Sequence, residues 1–175
     1  MPTKTIFLDR DGVINKEMNY LYRIKEFEFI EGIFEACIYF QELGYELIII
    51  TNQSGISRGY YGESDYQKLT KWMLAQFKKN NVNILDVFHC PHGANLFCKC
   101  RKPKPGMLLK AQQKYDIDMG KSWLIGDKET DIIAANRAGI FNTVLVKSVH
   151  KINESSSNAK FILDIINDSM KVITG

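Results

Sequence analysis

Apolar residues recur along this chain in two rhythms. Short, nearly continuous runs such as Thr5–Leu8, Glu46–Ile50 and Ser122–Ile125 alternate with longer stretches of helical spacing. A strand covered on both faces reads as a continuous apolar run rather than an alternating one. The pattern predicts strands over 4–9, 45–51, 84–89, 121–126 and 143–147. It predicts helices over 31–43, 63–80, 105–116, 129–138 and 158–172. Strands alternating with helices give an α/β protein with a parallel sheet and helices on both faces. The 175 residues suit one domain, 1–175, with one sizeable core.

Polar residues gather where the strands should end. Asp9 and Asp11 follow the first run at i and i+2, positions that share a face in extended chain, and Gly12 then permits a sharp turn. The bland alternative is an Asp-Gly hairpin, but Val13-Ile14 is a short second strand and Asn15-Lys16-Glu17 ends it. After the second run comes Thr51-Asn52-Gln53-Ser54-Gly55, a turn able to offer a hydroxyl and successive N–H groups to a phosphate. It reads equally as a polar helix cap. Ser57-Arg58-Gly59 either extends that cradle or is plain loop. After Ile125 comes Gly126-Asp127-Lys128-Glu129-Thr130-Asp131. Asp9 and Asp127 together suit one Mg²⁺, which takes one or two protein carboxylates and leaves the remainder to water and phosphate. Asp131 is either a helix-start residue or a supporting one, and Lys128 either lines the site or is solvated.

Residues 15–30 mix Tyr20, Tyr22, Phe27 and Phe29 with charges, as a flap over a site or a loop tucked onto the core. Glu17, Met18, Asn19 and Tyr20 are its candidate substrate contacts. Cys37 has no metal-like neighbour and reads as a core thiol. Cys90-Pro91-His92 and Cys98-Lys99-Cys100 place three thiols and an imidazole within eleven residues, a ligand set for one structural Zn²⁺ held by Cys90, His92, Cys98 and Cys100. This loop, about 89–104, leads directly into Arg101 and Lys102, both suited to phosphate. His89 reads as a neighbour of the cluster, and His150 is given no role and is expected at the surface. The tail over 148–175 reads as a linker and an apolar-striped helix.

Composition narrows the partners. A net charge of +3 is too small to argue for nucleic acid or a membrane surface. No apolar run reaches membrane-spanning length and the first residues lack a signal-like pattern, so cytoplasmic residence is expected. Four cysteines in that compartment are thiols or metal ligands rather than disulfides.

Phe7-Leu8-Asp9-Arg10-Asp11-Gly12-Val13, Thr51-Asn52-Gln53, the Lys102 loop and Gly126-Asp127…Asp131 resemble, in order, the four motifs of the haloacid-dehalogenase-like (HAD) phosphatases. Asp-Arg-Asp-Gly-Val-Ile-Asn, Thr-Asn-Gln-Ser-Gly-Ile-Ser-Arg-Gly and Cys-Pro-His…Cys-x-Cys-Arg-Lys-Pro-x-Pro-Gly-Met are more specifically similar to the D-glycero-D-manno-heptose 1,7-bisphosphate 7-phosphatase family. The resemblance implies a capless Rossmann-like fold with a zinc-binding loop, Mg²⁺, and a role in ADP-heptose supply for lipopolysaccharide. It implies Asp9 as nucleophile and Asp11 as general acid and base, with Asp11 reaching Mg²⁺ through its backbone carbonyl. Thr51 and Lys102 then stabilise the phosphoryl group. The expected substrate contacts are Arg10, Glu17, Met18, Asn19, Tyr20, Asn52, Gln53, Ser54, Arg101 and Lys128. A monomer acting on a small phosphorylated sugar is expected, with neither nucleic acid nor membrane as partner. The short gap from His92 to Cys98 resembles the related histidinol-phosphate phosphatases, which keeps that activity as the alternative. A non-catalytic zinc-loop binding module is the other, and the intact set of Asp9, Asp11, Lys102 and Asp127 argues against it.

Overall fold

Six strands form one parallel sheet in the computed structural model, which describes residues 1–175. They are β1 (Thr5–Leu8), β2 (Glu46–Asn52), β3 (Ile84–Cys90), β4 (Trp123–Gly126), β5 (Asn142–Val146) and β6 (Phe161–Leu163). Their order across the sheet is β3-β2-β1-β4-β5-β6, and every neighbouring pair is parallel. The helices are α1 (Ile33–Glu42), α2 (Glu63–Lys79), α3 (Gly106–Tyr115), α4 (Glu129–Arg137) and a short α5 (Ser169–Val172).

Side chains alternate across each strand, so two cores form. Ile6, Leu8, Leu47, Ile49, Trp123 and Ile125 pack with Ile33, Phe40, Leu69, Met73 and Phe77 from α1 and α2. Phe7, Ile48, Ile50, Leu124 and Leu145 pack on the other face with Met107, Leu108, Ala111, Ile132 and Ala135 from α3 and α4. Each fully buried aliphatic or aromatic side chain contributes roughly 1.5–3 kcal/mol by leaving water. Cys37 lies wholly inside the first core, where burial pushes its thiol up to about 12.

The order reverses direction between β1 and β4. In an open parallel sheet that switch point leaves a crevice beyond the carboxyl ends of the two central strands. The Asp-Gly turn is not a hairpin. Val13 N and Ile14 N both donate back to Arg10 O, closing a tight turn, and Gly12 adopts φ +89°. Residues 15–30 then form a closed flap. Asn15 bridges Phe29, Lys16 N donates to Glu28 O at 2.9 Å, and Phe27 and Phe29 pack edge-on against each other beside Trp72.

The predicted C-terminal helix is overturned over most of its length. Phe161–Leu163 is a strand whose residues pair with Val144–Val146, and only Ser169–Val172 is α-helical. Consecutive apolar residues fit either period. Pairing with the free edge of β5 decides between them, as tertiary context overrides local pattern. Residues 147–160, between β5 and β6, carry no helix. They run as a strap across the α4 side, where Ser157 Oγ and Asn158 N donate to Glu129.

Candidate active site

Asp9 stands one residue beyond β1, and its backbone N–H donates to Ile125 O of β4 at 3.0 Å. Its carboxylate therefore sits at the switch point, 7 % exposed. Lys102 Nζ lies 2.8 Å from Asp9 Oδ1, 2.6 Å from Asp131 Oδ1 and 3.2 Å from Ile50 O. An ammonium has three N–H donors, and these contacts use all of them. Burial works against the charge on Lys102, but Asp131 and Asp9 overcome it and hold the group protonated. Asn52 fixes the backbone beneath it, since Lys102 N donates to Asn52 Oδ1 at 3.1 Å and Asn52 Nδ2 donates to Lys102 O at 3.2 Å. The amide expected to meet substrate therefore also positions the lysine.

Asp127 is completely buried just beyond β4. One of its oxygens accepts from Ser148 Oγ at 2.8 Å, and the other, Oδ1, has no partner. Asp131 lies in the first turn of α4, where its Oδ2 accepts from the N–H groups of Asp127 and Lys128 while Oδ1 holds Lys102. It thus both caps the helix and orients the ammonium. Asp9, Asp127 and Asp131 offer carboxylate oxygens within 4.8 Å of one another. Burial, then the neighbouring Asp131 charge, raises the pKa of both Asp9 and Asp127. Three buried carboxylates face one ammonium, and one buried oxygen lacks any partner. This donor set fits a hard divalent cation.

Asp11 is placed differently. Arg10 Nη2 and Asn15 Nδ2 each donate to its Oδ1 at 3.0 Å, and Gln53 Nε2 donates to Oδ2 at 3.1 Å. Gln53 also donates to Thr51 Oγ1 at 2.9 Å and accepts from the Tyr61 hydroxyl. The Arg10 guanidinium is 1 % exposed and donates to Leu21 O as well as to Asp11. It ties the flap to Asp11 and does not line the cavity.

A cavity of about 330 Å³ opens above Asp9. Of the expected residues, Asp9, Asp11, Glu17, Asn19, Tyr20, Asn52, Gln53, Ser54, Arg101, Lys102 and Lys128 line it. Arg10, Met18, Thr51 and Asp127 do not; Met18 is exposed, while the other three lie behind the wall. Leu21, Gly55, Arg58, Tyr61, Thr130, Asp131 and His150 also line it. His150 does lie at the surface, its side chain 36 % exposed, but it also lines the cavity, because the strap after β5 folds back and sets its Nε2 3.2 Å from Glu17 Oε2. Those partners are 133 residues apart, and no local pattern announces such a contact. Arg58 was legible as one of two readings of Ser57-Arg58-Gly59. It stands over the Tyr20 ring at the mouth.

The cysteine cluster closes beside this mouth. One atom each of Cys90, His92, Cys98 and Cys100 lies within 4.8 Å of the other three. Tetrahedral Zn²⁺ with thiolates at about 2.3 Å sets its ligands about 3.8 Å apart. Cys90 Sγ and Cys98 Sγ are 3.8 Å apart, and His92 Nδ1 lies 3.5 Å from Cys90 Sγ and 3.4 Å from Cys100 Sγ, while Cys90 Sγ and Cys100 Sγ, 2.6 Å apart, would have to separate to share one ion. Burial opposes the Cys98 thiolate, but the N–H groups of Arg101 and Cys100 prevail and draw its pKa down to about 6. The cluster therefore fits a structural zinc. His89 lies outside it, with Nε2 2.7 Å from Glu63 Oε1. Lys104 Nζ donates to Cys98 O at 2.7 Å, and Arg101 Nη1 donates to His92 O at 3.1 Å. The loop thus grips Arg101 and Lys104, which follow its last thiol and flank Lys102.

Comparison with known proteins places this geometry in context. The family model described as HAD-hydrolase-like matches residues 99–169. The chain is 50 % identical over 163 residues to D-glycero-alpha-D-manno-heptose-1,7-bisphosphate 7-phosphatase of Photorhabdus laumondii, covering 89 % of each chain. It is 42 % identical over 179 residues to the beta-named 7-phosphatase of Pasteurella multocida, covering 98 % of this chain and 97 % of that one. The crystal structure of D,D-heptose 1,7-bisphosphate phosphatase from B. bronchiseptica, complexed with magnesium and phosphate, superposes with a TM-score of 0.88 at 26 % identity, covering 97 % of each chain.

Proposed function

The chain belongs to the D-glycero-D-manno-heptose-1,7-bisphosphate 7-phosphatases, a family of HAD-like hydrolases, and on that premise we propose that it removes the 7-phosphate of this sugar bisphosphate through a phosphorylated Asp9. The observation that carries the reading is the Asp9–Lys102 pair at the switch point, with a second buried carboxylate, Asp127, beside it.

An ionised Asp9 oxygen attacks phosphorus in line, and the P–O bond to the sugar breaks. The departing sugar oxygen needs a proton, because an alkoxide is a poor leaving group. Asp11 supplies it, then takes one from the water that attacks the aspartyl-phosphate, restoring Asp9 and releasing phosphate. Asp11 must leave its partners Arg10, Asn15 and Gln53 to do so. Lys102, held by Asp131 and by the Asn52 clamp, stabilises charge on the transferring group. Asp9, Asp127 and the Asp11 backbone carbonyl would hold Mg²⁺, which neutralises charge on Asp9 and the phosphoryl oxygens. Arg58, Arg101 and Lys128 form the cationic rim for the second phosphate. Cys90, His92, Cys98 and Cys100 would hold Zn²⁺, which would keep Arg101 and Lys102 in place.

The alpha-named relative is the more similar of the two, which favours the alpha anomer. The test is kcat/KM with Mg²⁺ for the alpha and beta anomers of the heptose bisphosphate and for histidinol phosphate. The expected order is alpha, beta, then histidinol phosphate. Preference for histidinol phosphate overturns the substrate, and absence of phosphate release from all three overturns the reaction.

A further inference from the structure

The strap between β5 and β6 supplies two side chains that the catalytic scheme leaves unused. Ser148 Oγ donates to Asp127 Oδ2 at 2.8 Å and accepts from His150 N at 3.3 Å. His150 is thereby fixed by its own backbone to the floor of the site. Its ring crosses the cavity, with Nε2 3.2 Å from Glu17 Oε2 and 3.9 Å from Asp127 Oδ2. Glu17 belongs to the flap, and its side chain is 12 % exposed. His150 is its one hydrogen-bond partner, so the second carboxylate oxygen is free. Burial, then the nearby Asp11 charge, raises the Glu17 pKa, and the His150 contact works against that rise.

We infer that His150 is a positioning residue that latches the flap through Glu17, leaving the free Glu17 oxygen to accept a hydroxyl of a polyol substrate. The inference rests on the phosphatase reading above and adds the part of the site that distinguishes a hydroxylated substrate from any other phosphate ester. The wall suits hydroxyls and not a phosphate. Glu17 and Asp11 are the acidic groups of that wall, with Asp127 behind them and Lys128 as its one nearby cation, whereas the basic Arg58 and Arg101 belong to other loops of the cavity. A hydroxyl donates to a carboxylate without bringing negative charge.

The latch predicts a split between substrates. Relative to wild type, His150→Ala lowers the ratio of kcat/KM for the heptose bisphosphate to that for p-nitrophenyl phosphate, which has no hydroxyl. The fall is roughly ten-fold, the scale of one hydrogen bond to a charged group, and is carried mainly by KM of the heptose bisphosphate. His150→Gln, which keeps an N–H donor at the side-chain end, recovers most of the ratio. Amide hydrogen exchange over residues 16–21, measured on the free enzyme, quickens in His150→Ala and not in His150→Gln. Equal losses on both substrates, or unchanged exchange in His150→Ala, overturn the latch. If wild type hydrolyses p-nitrophenyl phosphate but neither heptose anomer, the substrate reading fails, and the exchange measurement still decides the latch.

Discussion

A methyl group on residue 12 would sit 2.0 Å from Asp127 Oδ2 and 2.5 Å from its Cγ. Gly12 also holds φ +89°, a region that L side chains rarely occupy. The first acidic turn and the buried Asp127 thus share one space, and only glycine lets them meet. Gly12→Ala must therefore displace Asp127 as well as strain the turn. The expected outcome is a loss of about 2 kcal/mol or more in urea unfolding, with Mg²⁺ affinity falling alongside. Retention of both quantities would show that the turn relaxes without moving the carboxylate. At this scale much of the site was legible, because Asp9, Asp127 and Lys102 each follow a recognisable strand or ligand cluster. Asn52 shows where residue reading runs out. Its type and place suggested a substrate contact, and nothing in its neighbours says that its amide is committed to the backbone of a lysine 50 residues away.

On the proposed reading, the cysteine loop over 89–104 is the element that converts ligand spacing into catalytic geometry. Gly106 N donates to Lys99 O at 2.9 Å, and a Cβ at Gly106 would lie 2.1 Å from that oxygen, so the loop's exit is packed as tightly as its core. Lys102 leaves the loop with its side chain 4 % exposed, and its reach to Asp9 depends on where Cys100 is held. Cys98→Ser should purify with well under one zinc per chain by elemental analysis. It should also lose roughly a hundred-fold or more in kcat, because the ammonium is displaced from the phosphoryl site. One zinc per chain in that variant would remove Cys98 from the ligand set. The same scale shows why the central strands and α1 to α4 were readable and the chain's end was not. The central strands are covered on both faces, so their runs are unambiguous. Phe161–Leu163 is an edge strand of three residues, and its identity comes from the β5 edge beside it rather than from its own sequence. The strap before it has no period at all, and so His150 stayed hidden with it.

Across the whole molecule the parallel sheet delivers charge to one place. β1 and β4 end side by side, and Asp9, Asp127 and Asp131 converge there with Lys102 in contact and Lys128 nearby to oppose them. Asp9 and Asp127 both have folded pKa values raised by burial, above the ordinary aspartate value of about 3.9. Such a carboxyl binds its proton more tightly in the folded chain than in the unfolded one. Its contribution to stability is therefore present at low pH and is lost as pH rises through the folded value. Chelator-treated protein should lose a few degrees of Tm as pH is raised from just above the ordinary aspartate value to neutrality. A divalent cation takes the proton's place, so Mg²⁺ at fixed concentration should raise Tm more at the higher pH, by mass action on carboxylates already ionised. Asp127→Asn, which removes one of the raised carboxyls and a proposed ligand, should flatten both trends. Mg²⁺ shifts of equal size at the two pH values, or a Tm of the chelated protein that climbs across the interval, would mean that the acidic cluster is not what the switch point is built to neutralise.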